Sequence, residues 1–202
     1  MPSTHEQDES ELKTLFDDAE LRACASLAIE RYGAEIFGFI AHMCNDQDDA
    51  DDAFAQFCAD LWVGLPNFRW QSRLRTWCYT LARHAALRVL SSAYRRHLRP
   101  ARSAEVHALV AEHQSRTAPF LRTQVKDSIA RLREQLAPED RMLLSLRIDR
   151  GMSWREIAQI LSDSEADELQ RAAATARKRF ERLKLRLREM AREQGILPQA
   201  DE

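Results

Sequence analysis

The sequence predicts an all-α protein built as two small helical domains joined by a linker, and three observations predict it. The 202 residues contain only five glycines and six prolines, among many Ala, Leu, Arg and Glu, a composition that favours helix throughout. Apolar residues recur three and four apart along most segments, the spacing of a buried helical stripe. Between Pro100 and Pro119 this periodicity weakens into scattered Ser, Ala and Arg, as in a connecting segment. The organisation expected is a polar, disordered tail over 1–10, a first domain over 11–98, a linker over 99–119, a second domain over 120–193 and a tail over 194–202. Either domain is large enough to bury a core of its own.

Charge is segregated along the chain. The formal net charge is -2, but from Met1 to Trp62 there are 15 acidic residues against Lys13, Arg22 and Arg31. From Val63 to Ala104 there are nine arginines and no acid. Any one charge run can be a solvated helix face. Some forty residues without a carboxylate point instead to a polyanionic partner.

Cys24, Cys44, Cys58 and Cys78 lack metal-ligand spacing and sit among apolar neighbours, so they read as buried free thiols, with no metal and no cofactor expected. No signal peptide and no apolar run of membrane length is present, which predicts a cytoplasmic protein without membrane insertion. No phosphate-binding loop, metal set or nucleophile with a base stands out, so an enzyme is not expected.

Helical periodicity runs over 11–17 and then over 20–44, where Leu27, Ile29, Tyr32, Ile36, Phe37, Phe39 and Ile40 give a wide apolar face. Residues 45–48 make a turn, and the next helix, 49–63, opens with Asp49, Asp51 and Asp52, carboxylates that suit the positive end of a helix dipole. A loop after Pro66 leads to a helix expected from about Ser72, whose hydroxyl can cap it, to about His97. Leu74, Trp77, Cys78, Leu81 and Ala85 form its core stripe, which makes Trp77 a core residue first. Phe68 and Trp70 lie before the helix and are expected to be exposed. Aromatic rings interleaved with Arg69, Arg73, Arg75, Arg83 and Arg88 are the ingredients of a platform for unpaired nucleic acid.

The second domain begins with a helix over about 120–136. Pro138 starts another, which runs to Arg147 or Ile148 and turns at Asp149-Arg150-Gly151. Ser153-Trp154-Arg155-Glu156 is a capping box. A short helix and then a long basic one follow, which is helix-turn-helix grammar. In the last helix Leu169, Ala173, Ala176, Phe180, Leu183, Leu187 and Met190 form a heptad stripe, opposite Arg171, Thr175, Lys178, Arg182 and Arg186.

Phe68, Ser72, Leu74-Arg75-Thr76-Trp77, Tyr79 and Ala82-Arg83 resemble the promoter-melting segment of bacterial sigma factors of the extracytoplasmic-function group, F-R-G-E-S-S-F-R-T-W-L-Y-x-I-A-R. Asp49, Ala50, Asp52 and Trp62 resemble the polymerase-gripping helix of the same family, with Gln56 one place later than the family glutamine. Leu136, Pro138 and Arg141, then Ser153, Glu156-Ile157-Ala158 and Leu161, resemble its promoter-reading domain. The string 176–184 fits the family's recognition helix, but it begins fifteen residues after Leu161 where about seven are usual. A helix lengthened by about two turns, beginning with acidic residues from Asp163, is therefore expected.

The resemblance implies a non-catalytic protein with core RNA polymerase and promoter DNA as partners, and an anti-sigma factor as a further partner in many members. It implies polymerase binding through Asp49, Asp52, Gln56, Asp60 and Trp62. Minus-ten DNA would fall to Phe68, Arg69, Trp70, Gln71, Ser72, Arg75, Trp77, Arg83 and Arg88. Minus-thirty-five DNA would fall to Arg155, Arg171, Thr175, Arg177, Lys178, Arg179 and Arg182. The alternative is a stand-alone helix-turn-helix regulator that binds duplex DNA as a dimer.

Overall fold

The computed structural model describes residues 4–44, 46–96, 131–162 and 168–197, with the side chains of 4–8 and 93–96 excepted. The expected linker at 99–119, the start of the helix at 120–136 and the acidic residues 163–167 lie outside the described residues. Among those described there is no strand. The elements are α1 (Thr4–Asp17), α2 (Leu21–Ala41), α3 (Gln47–Gly64), a 3-10 turn (Leu65–Asn67) and α4 (Leu74–Arg96). Residues 131–134 are helical. They are followed by α5 (Pro138–Leu144), a π-type turn (Ser145–Asp149), α6 (Trp154–Leu161) and α7 (Leu169–Glu193).

Helices α2, α3 and α4 pack together because each carries an apolar stripe that the other two help to cover. Ile36, Phe39 and Ile40 of α2, Phe57 and Leu61 of α3, and Leu74, Cys78 and Tyr79 of α4 are buried together. Phe39 meets Tyr79 edge to face at 5.1 Å. Each such side chain contributes about 1.5–3 kcal/mol by leaving water. Asp46 caps α3 by accepting from the Asp49 amide at 2.8 Å, with Asp48 and Asp49 in the first turn.

Residues 4–10 are the first half of α1, which docks on α2 through buried Leu12; there Cys24 Sγ donates to the Leu12 carbonyl at 3.4 Å. One expectation needs correcting here. The fourth helix starts at Leu74 rather than Ser72, and the Ser72 hydroxyl donates to the Arg73 carbonyl instead of capping.

In the second domain the capping box is present: the Glu156 amide donates to Ser153 Oγ, while the Ser153 amide donates to Glu156 Oε2 at 2.9 Å. Gly151, at φ +62°, makes the left-handed turn before it. The long last helix packs through Leu169, Ala176, Phe180 and Leu183, as the heptad stripe requires. Helix α5 widens into the π-type turn, from which Arg147 donates forward to the Met152 carbonyl at 2.7 Å.

The two domains share one continuous apolar cluster, with α6 seated on α4. Arg150 Nη2 donates to the Glu35 carbonyl at 2.9 Å. A Cβ at Gly38 would lie 2.9 Å from that nitrogen, so a side chain there would make the guanidinium shift.

Candidate nucleic-acid interface

Residues 68–73 lead into α4, and the structure sorts their aromatics into different roles. Phe68 is 9% exposed and stacks on Trp77 with centroids 4.7 Å apart, so the expectation that it is exposed fails. The cause is the 3-10 turn, which folds the chain back so that Phe68 closes the end of the core over half-buried Trp77. Trp70 is half-buried, and its backbone sits at φ +54°, a left-handed conformation that costs a non-glycine residue on the order of 1–3 kcal/mol. It persists because the indole is held from three sides. Phe16 meets it edge-on at 5.7 Å, Phe68 lies at 5.1 Å, and Lys13 Nζ stands 5.5 Å from the ring centroid. Arg69 and Gln71 are exposed and Ser72 half-buried. Trp70, Gln71, Ser72 and Arg73 form one wall of a cleft whose other wall is Glu9, Ser10 and Lys13 of α1.

The arginines of α4 also divide. Arg75 turns inward and grips Glu35 of α2, Nε to Oε1 at 2.7 Å and Nη2 to Oε2 at 2.8 Å. Burial works to lower its pKa, yet the hydrogen bonds and charge of Glu35 leave it raised. It is a strut between helices rather than an open cation. Arg88 pairs with Asp60 of α3, and Arg83 is half-buried.

On α3, Gln56 Nε2 donates to Asp60 Oδ1 at 2.9 Å, so Gln56, Asp60 and Arg88 form one chain of contacts. Asp52 is exposed and Asp49 half-buried at the same helix's start. Trp62 and Val63 are exposed large apolar residues at its far end. Asp49, Asp52, Asp60 and Val63 fall on one side of α3, suited to a basic, partly apolar partner, while Trp62 lies further round the helix.

On α7, Arg171, Thr175, Arg177, Lys178 and Arg182 are exposed, and the Thr175 hydroxyl donates to the Arg171 carbonyl at 3.0 Å. Arg179 departs from this set, because its Nε is bound to Asp140 of α5 at 2.7 Å. Arg155 of α6 is exposed. The neighbouring Glu156 lies 3.9 Å from Arg73 of the first domain. Burial works against its charge, but Ser153, Arg73 and Arg75 hold its pKa below the usual carboxylate value.

The thiols are buried or half-buried and free. Burial pushes Cys44 up to about 12 and Cys78 higher still, which makes them packing groups rather than nucleophiles. No cluster of three His, Cys, Asp or Glu able to hold a metal occurs among the described residues. None of the described helices is long and apolar enough to cross a membrane.

Sequence reasoning missed Glu9, Phe16, Glu35 and the contact of Glu156 with Arg73. Glu9, Lys13 and Phe16 do follow i, i+4, i+7 spacing, a helical face that the polar composition of the first ten residues concealed. Nothing local marks Glu35, whose partner lies 40 residues away, and the capping box that marks Glu156 gives no sign of Arg73, 83 residues earlier.

Comparison with known proteins finds a family match over part of this region. Residues 28–99 match the family described as sigma-70 region 2. The chain is also 28% identical, over 165 residues, to the RNA polymerase sigma-H factor of Pseudomonas aeruginosa, an alignment that covers 78% of this chain and 84% of that protein.

Proposed function

Because this chain belongs to the sigma-70 family, we propose that it is a sigma factor of the extracytoplasmic-function subgroup, binding core RNA polymerase and directing promoter recognition and melting. One observation carries the reading most: the matched region contains an acidic helix, α3, packed directly on α4 and the aromatic-basic loop that precedes it. The mechanism is one of binding, with no covalent step. Asp49, Asp52 and the exposed Trp62 dock α3 on a basic surface of the polymerase, with Gln56 and Asp60 held in place by Arg88.

The cleft beside Trp70 takes an unpaired base. Extruding a base costs a few kcal/mol, and stacking on an aromatic offsets about 1–3 kcal/mol of that. With Phe68 buried, that stacking falls to Trp70, while Arg69, Arg73, Arg83 and Gln71 serve the strand's phosphates and edges. Trp77 supports Phe68 from below. Arg155, Arg171, Thr175, Arg177, Lys178 and Arg182 meet the upstream duplex, with α7 entering the major groove.

Elements near minus ten and minus thirty-five stand about 25 base pairs apart, on the order of 85 Å at 3.4 Å per step. With α6 seated on α4 the domains cannot span that separation. Polymerase binding therefore has to part them, releasing Arg73 from Glu156. An anti-sigma factor that grips the closed pair is a further partner of this reading, and the site of action is the cytoplasm with the polymerase.

The test is co-purification of the full chain with bacterial core RNA polymerase at moderate salt. A stoichiometric complex is expected. Absence of a complex, together with dimerisation and tight duplex binding by the chain alone, would move the assignment to a stand-alone regulator.

A further inference from the structure

Position 9 holds an arrangement that the family reading leaves unused. The first amides of α4 need acceptors, since four N–H groups at a helix start have no partner within the helix. A serine, threonine or aspartate at the helix start normally supplies one. Here Arg73 occupies that position and Ser72 points its hydroxyl elsewhere. The acceptor comes instead from 65 residues upstream. Glu9 Oε2 accepts from the Leu74 amide and Oε1 from the Arg75 amide, both at 3.0 Å, and the Tyr32 hydroxyl donates to Oε1 at 3.3 Å.

One turn and two turns further along α1, Lys13 and Phe16 hold the indole of Trp70. The same helix face therefore fixes both ends of the loop: its left-handed residue by packing, and its junction with α4 by a carboxylate on two backbone amides.

We infer that Glu9 is the positioning residue of the strand-capture loop. It sets the start of α4, and with it the direction in which Trp70, Gln71 and Arg73 face the cleft, so that the first helix of the chain governs how well an unpaired strand is held. Without that carboxylate the first turn of α4 frays and the loop samples other conformations. Binding of an unpaired strand then weakens, while duplex contacts through α7 are untouched. The inference rests on the reading of residues 68–73 as a strand-capture loop.

The experiment has two readouts on the full chain: amide hydrogen exchange at Leu74 and Arg75, and affinity of its complex with core RNA polymerase for fork DNA carrying a single strand of randomised sequence. Glu9→Ala should speed exchange at both amides at least tenfold and weaken fork binding about tenfold. Glu9→Gln, which keeps one accepting oxygen, should fall between Ala and wild type in both. Glu11→Ala is the control for loosening α1 without touching the cap, because Glu11 pairs with Arg31 of α2; it should leave both readouts at wild-type level. Unchanged amide exchange in Glu9→Ala would overturn the proposal. So would freed amides with undiminished fork binding, or equal losses in Glu11→Ala. Wild-type complex that binds no fork DNA would sink the reading of the loop and the proposal with it, whereas wild-type binding indifferent to Glu9 sinks the proposal alone.

Discussion

Replacing Arg75 by leucine separates a structural cation from a DNA-binding one. The guanidinium and the Glu35 carboxylate are 13% and 19% exposed, joined by two hydrogen bonds. Breaking a fully buried pair costs about 3–5 kcal/mol, and an exposed pair contributes about 0–1 kcal/mol. At this exposure the expected loss is about 3 kcal/mol. For a chain of this size that corresponds to a fall in Tm of about 6–12 °C. Glu35→Leu should cost a similar amount by leaving Arg75 unpaired near the Tyr79 ring, which lies 5.5 Å away.

The double variant should lose much less than the sum, with a coupling of about 2 kcal/mol. The assay is thermal denaturation followed by circular dichroism, with DNA binding measured on each folded variant well below its Tm. Arg75→Leu with an unchanged Tm and abolished DNA binding would refute the reasoning, because it would mean that the pair is open in solution and the cation free for phosphate.

Three further outcomes are expected. Asp49→Lys together with Asp52→Lys should weaken the complex with core polymerase at least tenfold in a titration while leaving Tm within a few degrees; unchanged affinity would remove α3 from the interface. Lys178→Ala and Arg182→Ala should each lower duplex affinity by about 1 kcal/mol and shallow the salt dependence by about one unit, and an unaltered salt slope would make that face merely solvated. Glu156, with its pKa held low, contributes stability that is present above its usual value of 4.5 and lost as pH falls through its folded value. Glu156→Gln should therefore be less stable than wild type by about 1 kcal/mol at neutral pH, with the gap closing in acid; a gap independent of pH would contradict this.

The helices were legible in the sequence wherever a stripe met a one-sided core. The heptad of the last helix and the capping box at Ser153 are local patterns, and local physics decided both. The burial of Phe68 depends on the 3-10 turn at Leu65, whose direction no periodicity encodes. Arg75 fits a phosphate-binding pattern equally well whether or not a carboxylate faces it, and Glu35 lies 40 residues earlier on another helix. Ser72 is a good local cap, yet α4 starts at Leu74, because the long-range competitor, Glu9, holds its first amides from a segment too polar to suggest a docked helix. Seating of α6 on α4 is likewise a property of two surfaces, visible only once both are folded.

The central claim is tested most directly by transcription in vitro with purified core RNA polymerase, with and without the full chain, on a pooled library of bacterial genomic fragments. The account predicts new start sites that appear only when the chain is added, each preceded by two shared elements spaced about 25 base pairs apart. A stoichiometric excess of folded chain that yields no such start sites, or start sites sharing no upstream elements, would contradict it.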